Sequence, residues 1–331
     1  MAVRAGPSVC GRAPMWTDAH GQSARLKPPI GRSARASGEP RPQPGRRAGA
    51  GGMAMETKAP GVLTPEEVAF FNENGYLRLH GVFGSAEREA LSQELEYVIG
   101  NFAVPGKGWS GPWREKYLSR EENERSQLAA THEMQQLSAA LARAVLQPRL
   151  AGAVADLIGP EVEFHHMTLH AKGPEFGTPF PLHQDHPFYP HSDGRYIDAI
   201  LHIDAGTEAN GCLKFVPGSH KLGTLEHVRE GSPHLPPDQY PFETAVSCPA
   251  EAGDVVLFSI HTIHGSALNR TPQWRRFVRV GYRNPRNLQT GGQAMGRPGW
   301  MVHGVRPKIA GVTLEPYGTI RVQAPAPSAS A

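Results

Sequence analysis

The sequence predicts a mainly β domain with flanking helices, of the antiparallel sandwich or barrel type. From about residue 162 to residue 282, short apolar or alternating runs are separated by Gly, Pro and Asn turns. Helical periodicity is concentrated before this region, so the helices are expected to flank the sheets. Strands are predicted over 164–171, 197–204, 212–216, 255–263 and 276–282.

The helices are predicted from their end signals. The motif Thr-Pro-Glu-Glu at 64–67 is typical of a capping box with proline at the first helical position, and Gly75 marks the end of that helix. Residues 76–79 then alternate like a strand. Ser85 is expected to cap a second, longer helix, and a third helical stretch, 137–158, is interrupted by a proline.

Composition predicts one folded domain, 56–310, between an Arg/Pro/Gly-rich disordered extension, 1–55, and a loose tail, 311–331. Residues 1–52 hold nine basic and two acidic residues, which leaves 25 basic and 29 acidic residues elsewhere, a net charge of −4. Such a balance does not favour a nucleic-acid partner. The first segment also allows a targeting function, or a natural start near Met53.

The cysteines and the hydropathy indicate a cytoplasmic protein. The three cysteines, at positions 10, 212 and 248, are widely spaced and contain no CxxC pair, so neither a disulfide framework nor a zinc knuckle is expected. No apolar run approaches the roughly 18 residues that a membrane span needs. We therefore expect a soluble protein with no membrane or nucleic-acid partner.

Three residues in two segments predict a metal site. His183 and Asp185 are two residues apart, so on a strand both side chains would leave the same face. A second apolar strand, 253–258, runs toward His264, which can supply a third ligand. Two neutral imidazoles and one carboxylate form the facial set that suits iron(II) and leaves positions open for oxygen chemistry.

A chelating dianion such as 2-oxoglutarate would fill two open positions of such an ion and leave one for dioxygen. Its far carboxylate then needs a cation. Arg275 starts the strand after the His264 segment, and a guanidinium can grip a carboxylate with two hydrogen bonds. Arg276 and Arg279 compete for this role, while Ser266 shares the face of His264 and can donate a hydroxyl.

These residues, together with Asn-Gly-Cys-Leu at 210–213 and Pro-Gly-Ser-His at 217–220, resemble the phytanoyl-CoA dioxygenase family in order and spacing. The resemblance covers roughly residues 60–285. It implies a double-stranded β-helix, also described as a cupin-like jelly roll, and a non-haem Fe(II) and 2-oxoglutarate-dependent dioxygenase that uses O2. Where many relatives carry a Trp before the Asn-Gly turn, this chain has Ile200.

Carried over to this chain, the resemblance implies that His183, Asp185 and His264 hold the iron and act in catalysis. It implies Arg275, with Ser266 and Gln184, as residues that bind 2-oxoglutarate. Halogenating relatives replace the carboxylate ligand, which is present here as Asp185. Hydroxylation of a small-molecule or acyl-type substrate, with release of succinate and CO2, is therefore the implied reaction.

Two other functions fit the same ligands. A cupin-type hydrolase or isomerase would use them with another metal, and a catalytically silent jelly roll would bind metal and act through interaction. Arg275 and Ser266 argue against the first function, and the intact ligand set argues against the second.

Overall fold

The computed structural model describes residues 61–314 and 320–322. The predicted disordered extension, 1–55, lies outside this range. Within it, no helix combines the length and the apolar character that crossing a membrane requires.

The helices precede most of the strands, as predicted. The first helix has Thr64 as its N-cap, and the Thr64 hydroxyl accepts from Glu67 N while Glu67 Oε2 accepts from Thr64 N, which confirms the capping box. Gly75 ends this helix with φ 83°. The second helix begins one residue earlier than expected, because Gly84 is its N-cap and Ser85 its first residue. The α-helices are α1 Pro65–Asn74, α2 Ser85–Asn101, α3 Trp113–Tyr117, α4 Arg120–Arg125, α5 Ala139–Val145 and α6 Pro148–Ile158.

Fourteen strands are found in the described residues. They are β1 Tyr76–Leu79, β2 Val104–Gly106, β3 Leu128–His132, β4 Val162–Lys172, β5 Phe180–His183, β6 Tyr196–His202, β7 Leu213–Phe215, β8 Val246–Cys248, β9 Val255–Ser259, β10 His264–Ser266, β11 Arg275–Arg283, β12 Met301–His303, β13 Val312–Leu314 and β14 Ile320–Val322. The expected loose tail therefore contains the β13–β14 hairpin, and residues 323–331 lie outside the described part of the chain.

The strands form two facing sheets. The large sheet has the order β1-β9-β6-β11-β4-β3-β2, with β12 added beside β4, and the small sheet has the order β5-β10-β7-β8. All of these pairings are antiparallel. This is the predicted jelly-roll architecture.

Two apolar clusters explain why the sheets take this arrangement. One joins the helices to the large sheet, for example Leu95 and Val154 to Val278. The other lies between the sheets, where Ile200 and Phe277 of the large sheet meet Phe215 of the small one. The large sheet is thus buried on both faces. Its strand β9 is apolar except for Ser259, whereas β4 and β11 also carry buried polar and charged side chains. The cavity of the candidate active site opens into this second cluster.

One strand prediction was wrong in a way that matters for the site. The apolar run 255–263 is not one strand, because β9 ends at Ser259 and the chain turns before β10 begins at His264. β9 belongs to the large sheet and β10 to the small sheet. The turn is stabilised by Thr262, whose hydroxyl donates to Gly75 O. His264 is therefore carried on the opposite sheet from the strand that leads to it.

Candidate active site

The two histidines of the predicted site are brought together by strand pairing. His264 of β10 is the register partner of His183 at the end of β5, and their ring centroids are 4.1 Å apart. Asp185 lies one residue beyond Gln184, which follows β5, with helical backbone angles of φ −79° and ψ −22°. The expectation that both residues lie on a strand was therefore wrong for Asp185, because the chain turns into the short helix His186–Phe188.

The three side chains nevertheless converge. His183 Nε2 lies 3.5 Å from Asp185 Oδ1, and His264 Nε2 lies 3.9 Å from the same oxygen. One ligand atom from each residue lies within 4.8 Å of the others, and all three residues are buried. An ion at about 2 Å from each atom bridges separations of up to about 4 Å, which both distances to Asp185 Oδ1 satisfy.

Backbone hydrogen bonds prepare both imidazoles for a metal. Since a carbonyl can only accept, His183 Nδ1 donates to Pro181 O at 2.8 Å and His264 Nδ1 donates to Thr262 O at 3.0 Å. The proton on Nδ1 leaves the Nε2 lone pair facing Asp185. Burial lowers the pKa of His264 to about 3, and the neighbouring His183 acts in the same direction. His264 is thus neutral at ordinary pH, as a ligand must be.

Asp185 is ionised in spite of its burial. Burial alone would raise the pKa of this carboxyl, but the Arg279 guanidinium and the two imidazoles outweigh it and hold the pKa well below its usual range. Two imidazoles beside a carboxylate form the donor set expected for iron(II) with open positions. The residues present therefore fit the metal.

A cavity of about 220 Å³ opens beside this group. Its apolar lining includes Trp109 and Phe188, and the Trp109 ring centroid is 4.3 Å from that of His183. Its polar lining includes Thr168, whose hydroxyl is 3.2 Å from His132 Nδ1. The remaining lining residues come mostly from the two facing sheets and include Leu128, Phe180, Ile200, Leu213, Phe258, Ser266, Phe277, Arg279 and Gln293.

Arg275 and Ser266 carry unsatisfied donors near the cavity. Arg275 alternates along β11 with Phe277 and Arg279, which both line the cavity, and its guanidinium lies 4.3 Å from the Phe277 ring centroid. One of its nitrogens donates to Gly211 O, but Nε and Nη2 are buried without a partner. Ser266 Oγ is also buried without a partner. Buried donors left unsatisfied are costly, so a carboxylate acceptor fits here.

The structure does not bring Gln184 to the cavity. Its side-chain amide donates to Gly223 O and His261 O, both at 2.7 Å, and its Oε1 accepts from Leu225 N at 2.8 Å. Gln184 is not among the residues that line the cavity, so its position does not support the expected contact with 2-oxoglutarate. Gln184 instead fixes the segment 223–225.

Two buried residues beside the site were missed from sequence. Lys172 is fully buried, and its ammonium donates to the carbonyls of Ser266 and Ala267. Asp198 is fully buried next to Arg279, with Nη1 and Oδ1 separated by 3.2 Å. Asp198 lies in the predicted strand 197–204, and Lys172 directly follows the predicted strand 164–171. An ionisable residue in or beside a predicted strand was the available signal, since buried charges need partners.

Comparison with known proteins agrees with this picture. Residues 71–277 match the phytanoyl-CoA dioxygenase family. Ectoine dioxygenase of Bordetella parapertussis is 28% identical over 70% of this chain and 79% of its own. The peroxisomal phytanoyl-CoA dioxygenase of Rattus norvegicus is 29% identical over 67% of this chain and 68% of its own. A crystal structure of EctD from S. alaskensis with 2-oxoglutarate and 5-hydroxyectoine has a TM-score of 0.56 at 22% identity, covering 78% of this chain and 89% of that one.

Neither the hydrolase or isomerase function nor the catalytically silent function is favoured by these relatives, which are named as dioxygenases. The cofactors are accordingly Fe(II) with 2-oxoglutarate and O2 as cosubstrates. The chain belongs to the phytanoyl-CoA dioxygenase family and is a non-haem Fe(II) and 2-oxoglutarate-dependent dioxygenase.

Proposed function

We propose that the protein hydroxylates a small-molecule or acyl-type substrate with release of succinate and CO2, and that His183, Asp185 and His264 hold its iron. The observation that carries this proposal is the convergence of two Nε2 atoms and one carboxylate oxygen at the mouth of a cavity between the sheets. Bound iron would supply the activation of O2 by which 2-oxoglutarate loses CO2. The protein itself would hold the ion and leave some of its coordination positions open.

We assign the far carboxylate of 2-oxoglutarate to Arg275 and Ser266. Arg275 Nε and Nη2 and Ser266 Oγ are buried donors without a partner. Ser266 lines the cavity, and Arg275 lies against Phe277, which also lines it. Burial lowers the pKa of Arg275 to about 9, so the guanidinium is still charged at neutral pH. A hydrogen-bonded ion pair between a guanidinium and a carboxylate is strong in a site that excludes water. Arg275 is therefore suited to bind one carboxylate of a diacid.

The substrate's place is the part of the cavity under Trp109 and Phe188. Their aromatic rings face His183, and Thr168 with His132 offers hydrogen-bonding groups on the other wall. The cavity of about 220 Å³ is smaller than the usual range of about 300–1,000 Å³ for ligand pockets. This size favours a small molecule, or only the reacting end of a longer acyl chain.

The domain and location follow as further proposals. Residues 56–310 form the dioxygenase domain, since strands β1 to β12 and the proposed ligands lie within that range. The enzyme acts in the cytoplasm, where free thiols persist, because Cys212 and Cys248 are buried and free. Fractionation of the cells that make the protein tests the location, and recovery in an organelle would contradict it.

The full chain with iron(II) and 2-oxoglutarate, mixed without oxygen, tests the reaction. A visible charge-transfer band should appear, and oxygen should then yield succinate. A panel containing ectoine and phytanoyl-CoA, the substrates named for relatives, should show which class raises succinate formation above the uncoupled rate. Absence of both the band and succinate would overturn the proposed function.

A further inference from the structure

The two oxygens of the Asp185 carboxylate have different surroundings. Oδ1 faces both imidazoles, at 3.5 Å from His183 Nε2 and 3.9 Å from His264 Nε2. Oδ2 lies 3.4 Å from Arg279 Nη1. Oδ1 is therefore the oxygen nearest to both imidazoles, and Oδ2 is the oxygen that contacts the guanidinium.

Arg279 is itself held from several sides. Nη1 also lies 3.2 Å from Asp198 Oδ1 and donates to the Tyr189 hydroxyl, which in turn donates to Asp198 Oδ2 at 3.0 Å. Nη2 lies 2.8 Å from His166 Nε2 and 3.3 Å from Thr168 Oγ1. These partners lie on β4, β6 and the segment after β5, so the guanidinium has little freedom to move.

The location of Arg279 makes this restraint effective. Strand β11 lies between β4 and β6, and Arg279 is paired with Thr168 on one side and Ile200 on the other. Its side chain and that of Asp198 are buried, with 9% and 0% of their surface exposed. A bond between charged groups in such a place is not weakened by water, and each group would be costly if left alone.

We propose that Arg279 is a positioning residue that holds Oδ2 of Asp185, so that the carboxylate binds the metal through Oδ1 alone. Asp198 and Tyr189 form the support that keeps Arg279 in place. This inference rests on the proposed role of Asp185 as a ligand. A carboxylate that binds through one oxygen occupies one coordination position, whereas a carboxylate that binds through both oxygens occupies two. The coordination position left free in the first case is available to the cosubstrates.

The test uses cobalt(II) as a probe metal in the full chain, without oxygen or 2-oxoglutarate. Arg279→Met should weaken cobalt binding about 10- to 100-fold, the usual effect of losing a partner of a metal ligand. The visible bands of bound cobalt should also weaken, because a carboxylate that turns to bind through both oxygens raises the coordination number. Arg279→Lys should be intermediate, since an ammonium keeps the charge but loses the planar fork.

Arg276→Met is the matched control. Arg276 is the preceding residue of β11, faces the other side of the sheet and is paired with Asp204 at 2.7 Å. Its loss should leave cobalt affinity and spectrum unchanged. An effect equal to that of Arg279→Met would overturn the inference, because the change would then reflect β11 as a whole.

The double variant Asp198→Asn with Arg279→Met separates positioning from charge balance. If the loss in Arg279→Met reflects only an Asp198 carboxyl left without its partner, replacing both residues should restore wild-type cobalt affinity, and this result overturns the inference. Persistent loss of affinity in the folded double variant supports it. Wild-type protein that binds no cobalt would overturn the ligand assignment as well, whereas wild type and Arg279→Met binding equally would overturn only the role of Arg279.

Discussion

His183 and His264 face each other across neighbouring strands, with ring centroids 4.1 Å apart, because β5 and β10 pair in the register that aligns them. The pairing of these two strands therefore positions two of the three ligands. Asp185 completes it from the turn after β5, where its orientation depends on side-chain contacts rather than on strand pairing. The carboxylate is thus the ligand whose removal should change metal binding with least effect on the fold.

Asp185→Ala should abolish succinate formation and the charge-transfer band. Loss of an outer support already costs about 10- to 100-fold in metal affinity, so loss of a ligand should cost more than about 100-fold. Metal titration and succinate assay measure these effects. Asp193→Ala is a suitable control, because Asp193 is partly exposed and paired with Arg195. Normal succinate yield from Asp185→Ala would refute the ligand assignment.

Arg275→Ala should chiefly raise KM for 2-oxoglutarate. Hydrogen bonds to charged groups contribute about 1.5–3 kcal/mol, which corresponds to a roughly 10- to 100-fold increase. Initial rates of succinate formation at varied 2-oxoglutarate measure it. Arg276→Ala removes the same chemical group from the other face of β11 and should leave KM near wild type. Equal effects of the two substitutions would contradict the proposed carboxylate site.

Gly211→Ala should destabilise the protein and weaken 2-oxoglutarate binding together. Gly211 has φ 74°, and an added Cβ would lie 2.1 Å from Ala267 O. The backbone would have to move, and with it the Gly211 carbonyl that accepts from Arg275. We expect a loss of about 1–3 kcal/mol in the free energy of unfolding, together with a higher KM.

Gly311→Ala separates backbone strain from contact in this experiment. Gly311 has φ 73°, but nothing lies within 4 Å of its added Cβ. Thermal unfolding should show a smaller loss for this variant, and KM should not change. If Gly211→Ala and Gly311→Ala lower the free energy of unfolding by the same amount, the close approach of Gly211 to Ala267 does not contribute to the loss of stability.

The metal-free protein should lose stability as the pH falls from about 6.5 to about 4. Burial lowers the pKa of His202 to about 4, and the charge of Arg275 acts in the same direction. An unfolded histidine takes up its proton near pH 6.5, so in this window the unfolded state binds more protons than the folded state. Each such histidine contributes a slope of up to about 1.4 kcal/mol per pH unit, and acidification favours unfolding.

Urea unfolding with a chelator present, repeated between pH 4.5 and 7, measures this slope. His202→Gln should make it shallower, because one group that resists protonation in the folded state is gone. His80→Gln is the control, since 67% of the His80 side chain is exposed. An unchanged slope in His202→Gln would show that His202 does not carry the pH dependence.

Local signals were sufficient to predict much of this fold. The capping box at Thr64, the end of the helix at Gly75 and the strands around 164–171 and 276–282 each depend on residues close in sequence, and the structure contains all of them. The division of 255–263 between two sheets was not predictable in this way. Both parts of the run are buried, so the hydrophobic pattern is continuous across the turn between them.

The same reasoning applies to the site. The spacing of His183, Asp185 and His264 indicated a shared metal, and the structure places them together. The roles of Arg279 and Asp198 depend on which strands lie side by side in the large sheet. Only the pairing of β6 with β11 brings those two charges together, and sequence spacing contains no information about this pairing.

Gln184 stands between two of the proposed ligands, yet its side chain binds the backbone of the segment 223–225. The main chain that carries His183 and Asp185 is therefore mechanically connected to that segment. A displacement of that segment would therefore act, through the Gln184 side chain, on the peptide between the two ligands. The distance between the two ligand side chains thus depends on a distant loop as well as on β5.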